Sequence, residues 1–154
     1  LDSSLPTLLV TGGSKGARSI NMAILKHLDE LLKMTQIIHL TGSLDIETVE
    51  QAAEKLPADK KERYHVMPYL HEMGAALAAA DLVLSRAGAS SIGEYPFFGL
   101  PAVLTPYPYA WRYQKVNHRA LRSAMRAAMK NLSQPEAADT IASQLVKLAG
   151  EETL

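Results

Sequence analysis

Leu8-Leu9-Val10-Thr11-Gly12-Gly13-Ser14-Lys15-Gly16 opens on a short, continuously apolar run and closes in a loop almost without side chains. An apolar run of that length, with no polar alternation, reads as a strand covered on both faces of a parallel sheet. The residues that follow, 17–32, place Ile20, Ile24, His27, Leu28, Leu31 and Leu32 on one helical face. Where a strand hands over to a helix, the helix's first N–H groups have no intrahelical partner and carry the positive end of its dipole. A loop of glycines lets an anion approach those donors. The pattern returns at Leu82-Val83-Leu84-Ser85-Arg86-Ala87-Gly88-Ala89-Ser90-Ser91. One such loop can be an ordinary tight turn. Two in one parallel sheet point to a split phosphate-bearing ligand, such as the diphosphate of a nucleotide sugar or a dinucleotide.

Outward from these loops, strand and helix signals alternate. Gln36–Leu40 reads as a second strand, closed by Thr41-Gly42-Ser43, and Ile46, Val49, Ala53 and Leu56 mark a helix ending at Pro57. The charged stretch Asp59-Lys60-Lys61-Glu62-Arg63 reads as a solvated loop. Tyr64–Met67 is the third strand expected, and residues 73–80 a short alanine-rich helix. Residues 82–85 form a fourth strand, and 91–98 a helix stopped by Gly99 as a left-handed cap. Ala102–Thr105 is a fifth strand entered through Pro101. An aromatic and proline-rich loop (106–113) comes next, then helical sequence from Gln114 to about Met129. A last helix carries a capping box of Ser133 and Glu136, with Pro135 in its first turn. The expectation is an α/β domain with a Rossmann-like, doubly wound parallel sheet.

Composition narrows the class of partner. Sixteen Lys and Arg balance sixteen Asp and Glu, which argues against nucleic acid or an anionic membrane surface as the main partner. The absence of cysteine removes disulfides, thiolate nucleophiles and cysteine-ligated zinc. No apolar run approaches the roughly 18 residues of a transmembrane segment, and no signal peptide opens the chain. The opening, Leu1-Asp2-Ser3-Ser4-Leu5-Pro6, lacks methionine and reads as a linker, so a fragment of something longer is expected.

The loops match neither G-x-G-x-x-G nor G-x-x-x-x-G-K-[ST], which weakens hydride transfer and nucleoside-triphosphate hydrolysis alike. Ser14 offers a hydroxyl to a phosphate beside the glycines at Gly12 and Gly13. Ala89 and Ser90 offer backbone donors after Gly88, and Ser91 a hydroxyl. Glu94 lies three residues after Ser91 and reads either as a capping-box partner or as a buried acceptor for two neighbouring hydroxyls, as on a ribose. Arg86 reads equally as a diphosphate counter-charge and as a surface ion-pair partner. Tyr107, Tyr109, Trp111, Tyr113, Gln114 and Asn117 follow the fifth strand, where open parallel sheets bind ligands; docking against another domain is the alternative. The five histidines form no metal pattern, and His71-Glu72 lacks the second histidine of H-E-x-x-H. His27, on an apolar helix face, reads as a satisfied core histidine. No residue qualifies as nucleophile or general base, although group transfer needs a proton acceptor.

Val10-Thr11-Gly12-Gly13-Ser14-Lys15-Gly16-Ala17-Arg18-Ser19-Ile20-Asn21 closely resembles the start of the donor-binding half of the MurG-type N-acetylglucosaminyltransferases. Ser85-Arg86-Ala87-Gly88-Ala89-Ser90-Ser91-Ile92-Gly93-Glu94, with Gly99-Leu100-Pro101-Ala102, resembles that family's second signature. The resemblance runs from about Pro6 to Asn117 and over 125–148. It implies one half of a two-domain GT-B fold, whose carboxyl-terminal half holds UDP-N-acetylglucosamine (UDP-GlcNAc) and transfers the sugar to lipid I for peptidoglycan. By match, Ser14 would touch a phosphate; Tyr69, Leu70 and Met73 would wall the uracil pocket, Leu70 through its backbone. Ala89, Ser90 and Ser91 would face sugar and phosphates, Glu94 the ribose and Gln114 the GlcNAc hydroxyls. Gly13, Arg86, Gly88, Tyr113 and Asn117 are weaker candidates. The resemblance implies no cofactor and no metal for donor binding. It also implies a lipid-linked acceptor held by an amino-terminal half outside this chain, and a cytoplasmic enzyme peripheral to the inner face of the bacterial membrane.

This sequence departs from the family in places. Tyr113 stands where a His or Gln is usual. Asn117-His118-Arg119 passes almost directly into the late segment, so roughly thirty to forty residues typical of a βα unit are either missing from this sequence or deleted, the former being favoured. A stand-alone donor subunit paired with a separate acceptor subunit is the second reading. A non-catalytic nucleotide-binding module is the third.

Overall fold

The structure, a computed structural model, describes residues 1–86 and 89–105, with the backbone alone at 89–93. The helical readings beyond Gln114, and the capping box at Ser133, lie outside the described residues. Within them the elements run β1 (Thr7–Thr11), α1 (Arg18–Leu31), β2 (Gln36–Leu40), α2 (Ile46–Glu54), α3 (Ala58–Lys61) and β3 (Tyr64–Met67). Then come α4 (Met73–Ala79), β4 (Leu82–Arg86), α5 (Ala89–Phe98) and β5 (Ala102–Thr105). The strands form one parallel sheet in the order β3-β2-β1-β4-β5.

β1 and β2 are buried along their whole length because both faces of the sheet are covered. Leu8 and Val10 point to one side, where they pack with Ile20, Ile24, Leu28 and Leu32 of the α1 region and with Ile37, Val49 and Tyr64. Leu9 points to the other, against Ile38, Ala76, Leu77, Val83, Tyr95 and Leu100. The period-two alternation of a strand thus splits one apolar run between two cores. At the amino end of the sheet Asp81 ties β1 to β4: its carboxylate accepts from the Thr7 N–H (3.0 Å), and its own N–H donates to the Thr7 carbonyl (2.9 Å).

Several local expectations change. The charged stretch at 59–63 overlaps α3, one helical turn in which the Pro57 carbonyl accepts from the N–H groups of Lys60 (3.0 Å) and Lys61 (2.9 Å). Lys60 also pairs with Asp29 of α1. The opening residues are not a free linker. The side-chain amide of Gln36 accepts from the Asp2 N–H (2.8 Å) and donates to the Asp2 carbonyl (2.8 Å). His27 is exposed and lies 3.7 Å from Glu30, because it sits on the flank of α1 rather than under it. The core histidine is His39 in β2, fully buried.

α5 starts at Ala89, two residues before the expected boundary. Ser91 is therefore inside the first turn, and the capping-box reading of Ser91 with Glu94 loses its geometry. The other end behaves as expected. Leu100 N–H donates to the Tyr95 carbonyl (2.8 Å) and Gly99 N–H to that of Pro96 (2.9 Å), the paired bonds of a glycine-terminated helix.

Candidate functional site

β1 and β4 are neighbours, but the chain leaves β1 for β2 on one side and reaches β5 on the other. At such a reversal the loops leaving the two strands diverge and open a crevice at their carboxyl ends. Thr11 and Ser85 are register partners on that edge, as are Leu40 and Met67 further along it. A cleft of ≈ 390 Å³ lies there, lined by Thr11, Gly12, Gly13, Ser14, Leu40, Pro68, Tyr69, Leu70, Met73, Ser85, Arg86, Glu94 and Tyr95.

The glycine loop builds one wall. Gly16 N–H donates to the Gly13 carbonyl (2.9 Å), leaving Ser14 and Lys15 exposed at the tip of a turn. A Cβ on Gly13 would meet nothing within 4 Å, so its backbone stays open to the cleft. Behind the loop, Ala17 stands at the N-cap of α1 and supplies no side-chain cap, and the helix's first turn carries no acidic residue. The free N–H groups there keep their capacity for an anion.

The opposite wall comes from β4 and α5. The buried Tyr95 hydroxyl donates to Ser85 Oγ (2.9 Å), which donates to the Arg86 carbonyl (3.0 Å), fixing the strand end against the helix that carries Glu94. Arg86 Nη2 donates to Ser19 Oγ of α1 at 2.5 Å, so the guanidinium bridges the two walls. Glu94 lines the cleft but is exposed, not the buried acceptor expected, because its turn of α5 faces the open crevice. The floor towards β3 is apolar: Leu70 and Met73 are half-buried, while Tyr69 is 55% exposed and braced edge-on by His71 at 5.0 Å.

The structure therefore brings together Gly13, Ser14, Tyr69, Leu70, Met73, Arg86 and Glu94 around one cleft. Ala89, Ser90 and Ser91 are the first three residues of α5, placed by their backbone alone. Gly88, Tyr113, Gln114 and Asn117 lie outside the described residues. The sequence reading assigned no role to Thr11, Leu40, Pro68, Ser85 or Tyr95. The signal for three of them was available, since Thr11, Leu40 and Ser85 stand at or next to the carboxyl ends of parallel strands. Among the described residues no group of three or more His, Cys, Asp or Glu side chains could hold a metal ion.

A buried polar cluster joins α1 to β2 and to the corner that follows β2. Asn21 Nδ2 donates to the Thr41 carbonyl (2.9 Å) and to Asp45 Oδ2 (2.9 Å), both acceptors only, which fixes the amide's orientation. Its Oδ1 then faces His39 Nε2 (3.0 Å), so Nε2 bears the proton and Nδ1 accepts from the Tyr64 hydroxyl (2.7 Å). Burial holds the His39 pKa down to about 4, against a smaller upward pull from Asp45, and burial also pushes that of Tyr64 up. Arg18 pairs with Asp45 at the cluster's edge.

Residues 7–153 match the glycosyltransferase family 28 C-terminal domain. The chain belongs to that family. Family 28 relatives named UDP-N-acetylglucosamine--N-acetylmuramyl-(pentapeptide) pyrophosphoryl-undecaprenol N-acetylglucosamine transferase are similar to it. The Roseiflexus sp. (strain RS-1) protein is 45% identical over 140 residues, covering 80% of this chain and 32% of the relative. That of Chlorobaculum parvum is 46% identical over 145 residues, covering 92% and 38%. The chain thus spans about a third of the length of these curated relatives. Among solved structures, Acinetobacter baumannii MurG superposes with a TM-score of 0.61 at 23% identity, over 95% of this chain and 42% of that one. The glycosyltransferase SnogD from Streptomyces nogalater gives 0.65 at 18% identity, over 97% and 45%. The fold is the Rossmann-like half of a GT-B glycosyltransferase.

Proposed function

We propose that this family 28 domain binds UDP-GlcNAc and serves an inverting hexosyltransferase that moves GlcNAc onto lipid I, forming lipid II. One observation carries the reading. The glycine loop after β1, the end of β4 at Ser85 and Arg86, an apolar strip at Leu70 and Met73, and a carboxylate at Glu94 converge on one crevice at the sheet's switch point. Those features correspond to the parts of a uridine diphosphate sugar. The base takes the apolar strip, the ribose hydroxyls donate to Glu94, and the diphosphate takes the loop's N–H groups with Ser14 and Arg86. The N–H groups at the start of α5 would stabilise the departing UDP. Each preorganised donor of that kind is worth about 3–4 kcal/mol at a transition state.

The assignment to lipid I rests on the names of the relatives, which specify an undecaprenol-linked acceptor. The acceptor and its proton acceptor are assigned to the part of those relatives beyond the match, so this chain alone binds donor and transfers little or none of it. A lipid-linked acceptor also places the working enzyme at the membrane surface; no helix among the described residues is long and apolar enough to cross it. Donor binding is proposed to need no metal, the phosphate charge being met by amides and Arg86. Calorimetry tests the reading: UDP-GlcNAc binds, with or without EDTA, while NAD and ATP do not. Equal heats from all three nucleotides would reduce the domain to a generic nucleotide fold.

A further inference from the structure

The 12–16 loop lies against the corner that follows β2. A Cβ on Gly16, whose φ is +76°, would come 2.1 Å from the Thr41 carbonyl oxygen, and one on Gly42 would come 2.4 Å from the Gly16 nitrogen. The two loops therefore meet backbone to backbone, and the place of the Thr41 carbonyl sets the place of Gly16. That carbonyl accepts from Asn21 Nδ2. Asn21 is fully buried, sits in the first turn of α1 and has every side-chain polar group engaged, by Thr41, Asp45 and His39. It does not line the cleft.

We propose that Asn21 is a positioning residue for the phosphate-binding loop: from inside the domain its amide holds the Thr41 carbonyl against Gly16 and so fixes the loop's backbone donors where a diphosphate meets them. Each link is a direct contact. The Asn21 amide has two donors on one nitrogen, and they fasten the two ends of the β2–α2 corner, Thr41 and Asp45. His39 holds the opposite edge of the same amide, so the side chain cannot swing away. Asn21 also belongs to the helix that the loop enters, and its N–H donates to the Ala17 carbonyl (3.0 Å). The loop is thereby clamped between its own helix and its neighbouring corner through one side chain.

The proposal rests on the reading of the cleft as a uridine diphosphate site, and its test separates the two. In Asn21→Ala and the milder Asn21→Ser, UDP affinity falls five- to tenfold while uridine affinity changes less than twofold, because uridine makes no phosphate contact. A purely structural role would lower the melting temperature and leave the ratio of the two affinities unchanged. That result, in a folded variant, overturns the proposal. A second measurement needs neither substitution nor ligand. In the wild-type 154-residue chain, the amides of Gly13, Ser14, Lys15 and Gly16 show order parameters of about 0.85, like rigid backbone; values below about 0.6 overturn it. Wild-type chain that binds no UDP would sink the proposed function alone, while the loop's order parameters would still decide the role of Asn21.

Discussion

Glu94 of α5 and Ser14 of the glycine loop both line the cleft, and each is proposed to meet a different part of the donor. Glu94 is exposed, so Glu94→Ala leaves the fold intact. Its loss as a ribose acceptor lowers UDP affinity several-fold, about 1 kcal/mol, the ordinary net worth of a hydrogen bond. Unchanged affinity by calorimetry would remove the ribose role. Ser14→Ala weakens UDP more than uridine, since only UDP carries phosphates; equal losses would take Ser14 out of the phosphate site. His39 gives a pH dependence. Its pKa lies near 4 in the folded chain against about 6.5 unfolded, so the unfolded state binds more protons between those values. Its contribution to stability is complete above about pH 6.5 and is lost as the pH falls towards 4, on the order of 3 kcal/mol in all. In urea titrations across that interval, His39→Gln loses stability less steeply than wild type; identical slopes would contradict a buried neutral histidine.

His27 and His39 also mark where the sequence could and could not be read at this scale. A helix leaves its flanks ambiguous by spacing alone, and His27 fell on the exposed side. In β2 a polar residue between Ile38 and Leu40 had no solvent face to occupy, because a parallel strand is covered on both sides. His39 was therefore predictable as buried and partnered. Asn21 was not: one polar residue beside Ile20 in a first helical turn carries no periodic signal, and its partners Thr41 and Asp45 are distant in sequence.

Among elements, the strands were the most legible. β2, β3 and β5 stand at the boundaries that their apolar runs and flanking Thr-Gly or Pro residues indicate. α3 was not legible, since a single charged turn has no apolar face to announce it. α5 was shifted because Ala89 and Ser90 read as loop, although a helix start needs only helical backbone. The junction of β1, its loop and α1 is the element on which the account leans. Gly16→Ala combines a left-handed backbone with a side chain driven into the Thr41 carbonyl. It is expected to destabilise the chain by about 3 kcal/mol or more. Thermal and urea melts check this, and a loss below about 0.5 kcal/mol, the scale of an innocuous surface change, would mean that the two loops do not abut.

For the whole molecule, alternation of strands and helices predicted a doubly wound parallel sheet, and the order β3-β2-β1-β4-β5 puts the reversal between the two strands that carry the glycine loops. Strand order is not written in periodicity; it follows from right-handed crossovers and from which apolar faces must be covered. Once it is known, Leu40 after one crossover and Ser85 after another fall on the same edge as Ser14, and scattered residues become one cleft. The family match and the superpositions agree with that frame, and the chain spans about a third of the length of its curated relatives. The most direct measurement is a crystal structure of the chain soaked with UDP. The account predicts density in the crevice between Ser14 and Glu94, with the base towards Leu70 and the phosphates at the 12–16 loop; density at any other place on the molecule would contradict it.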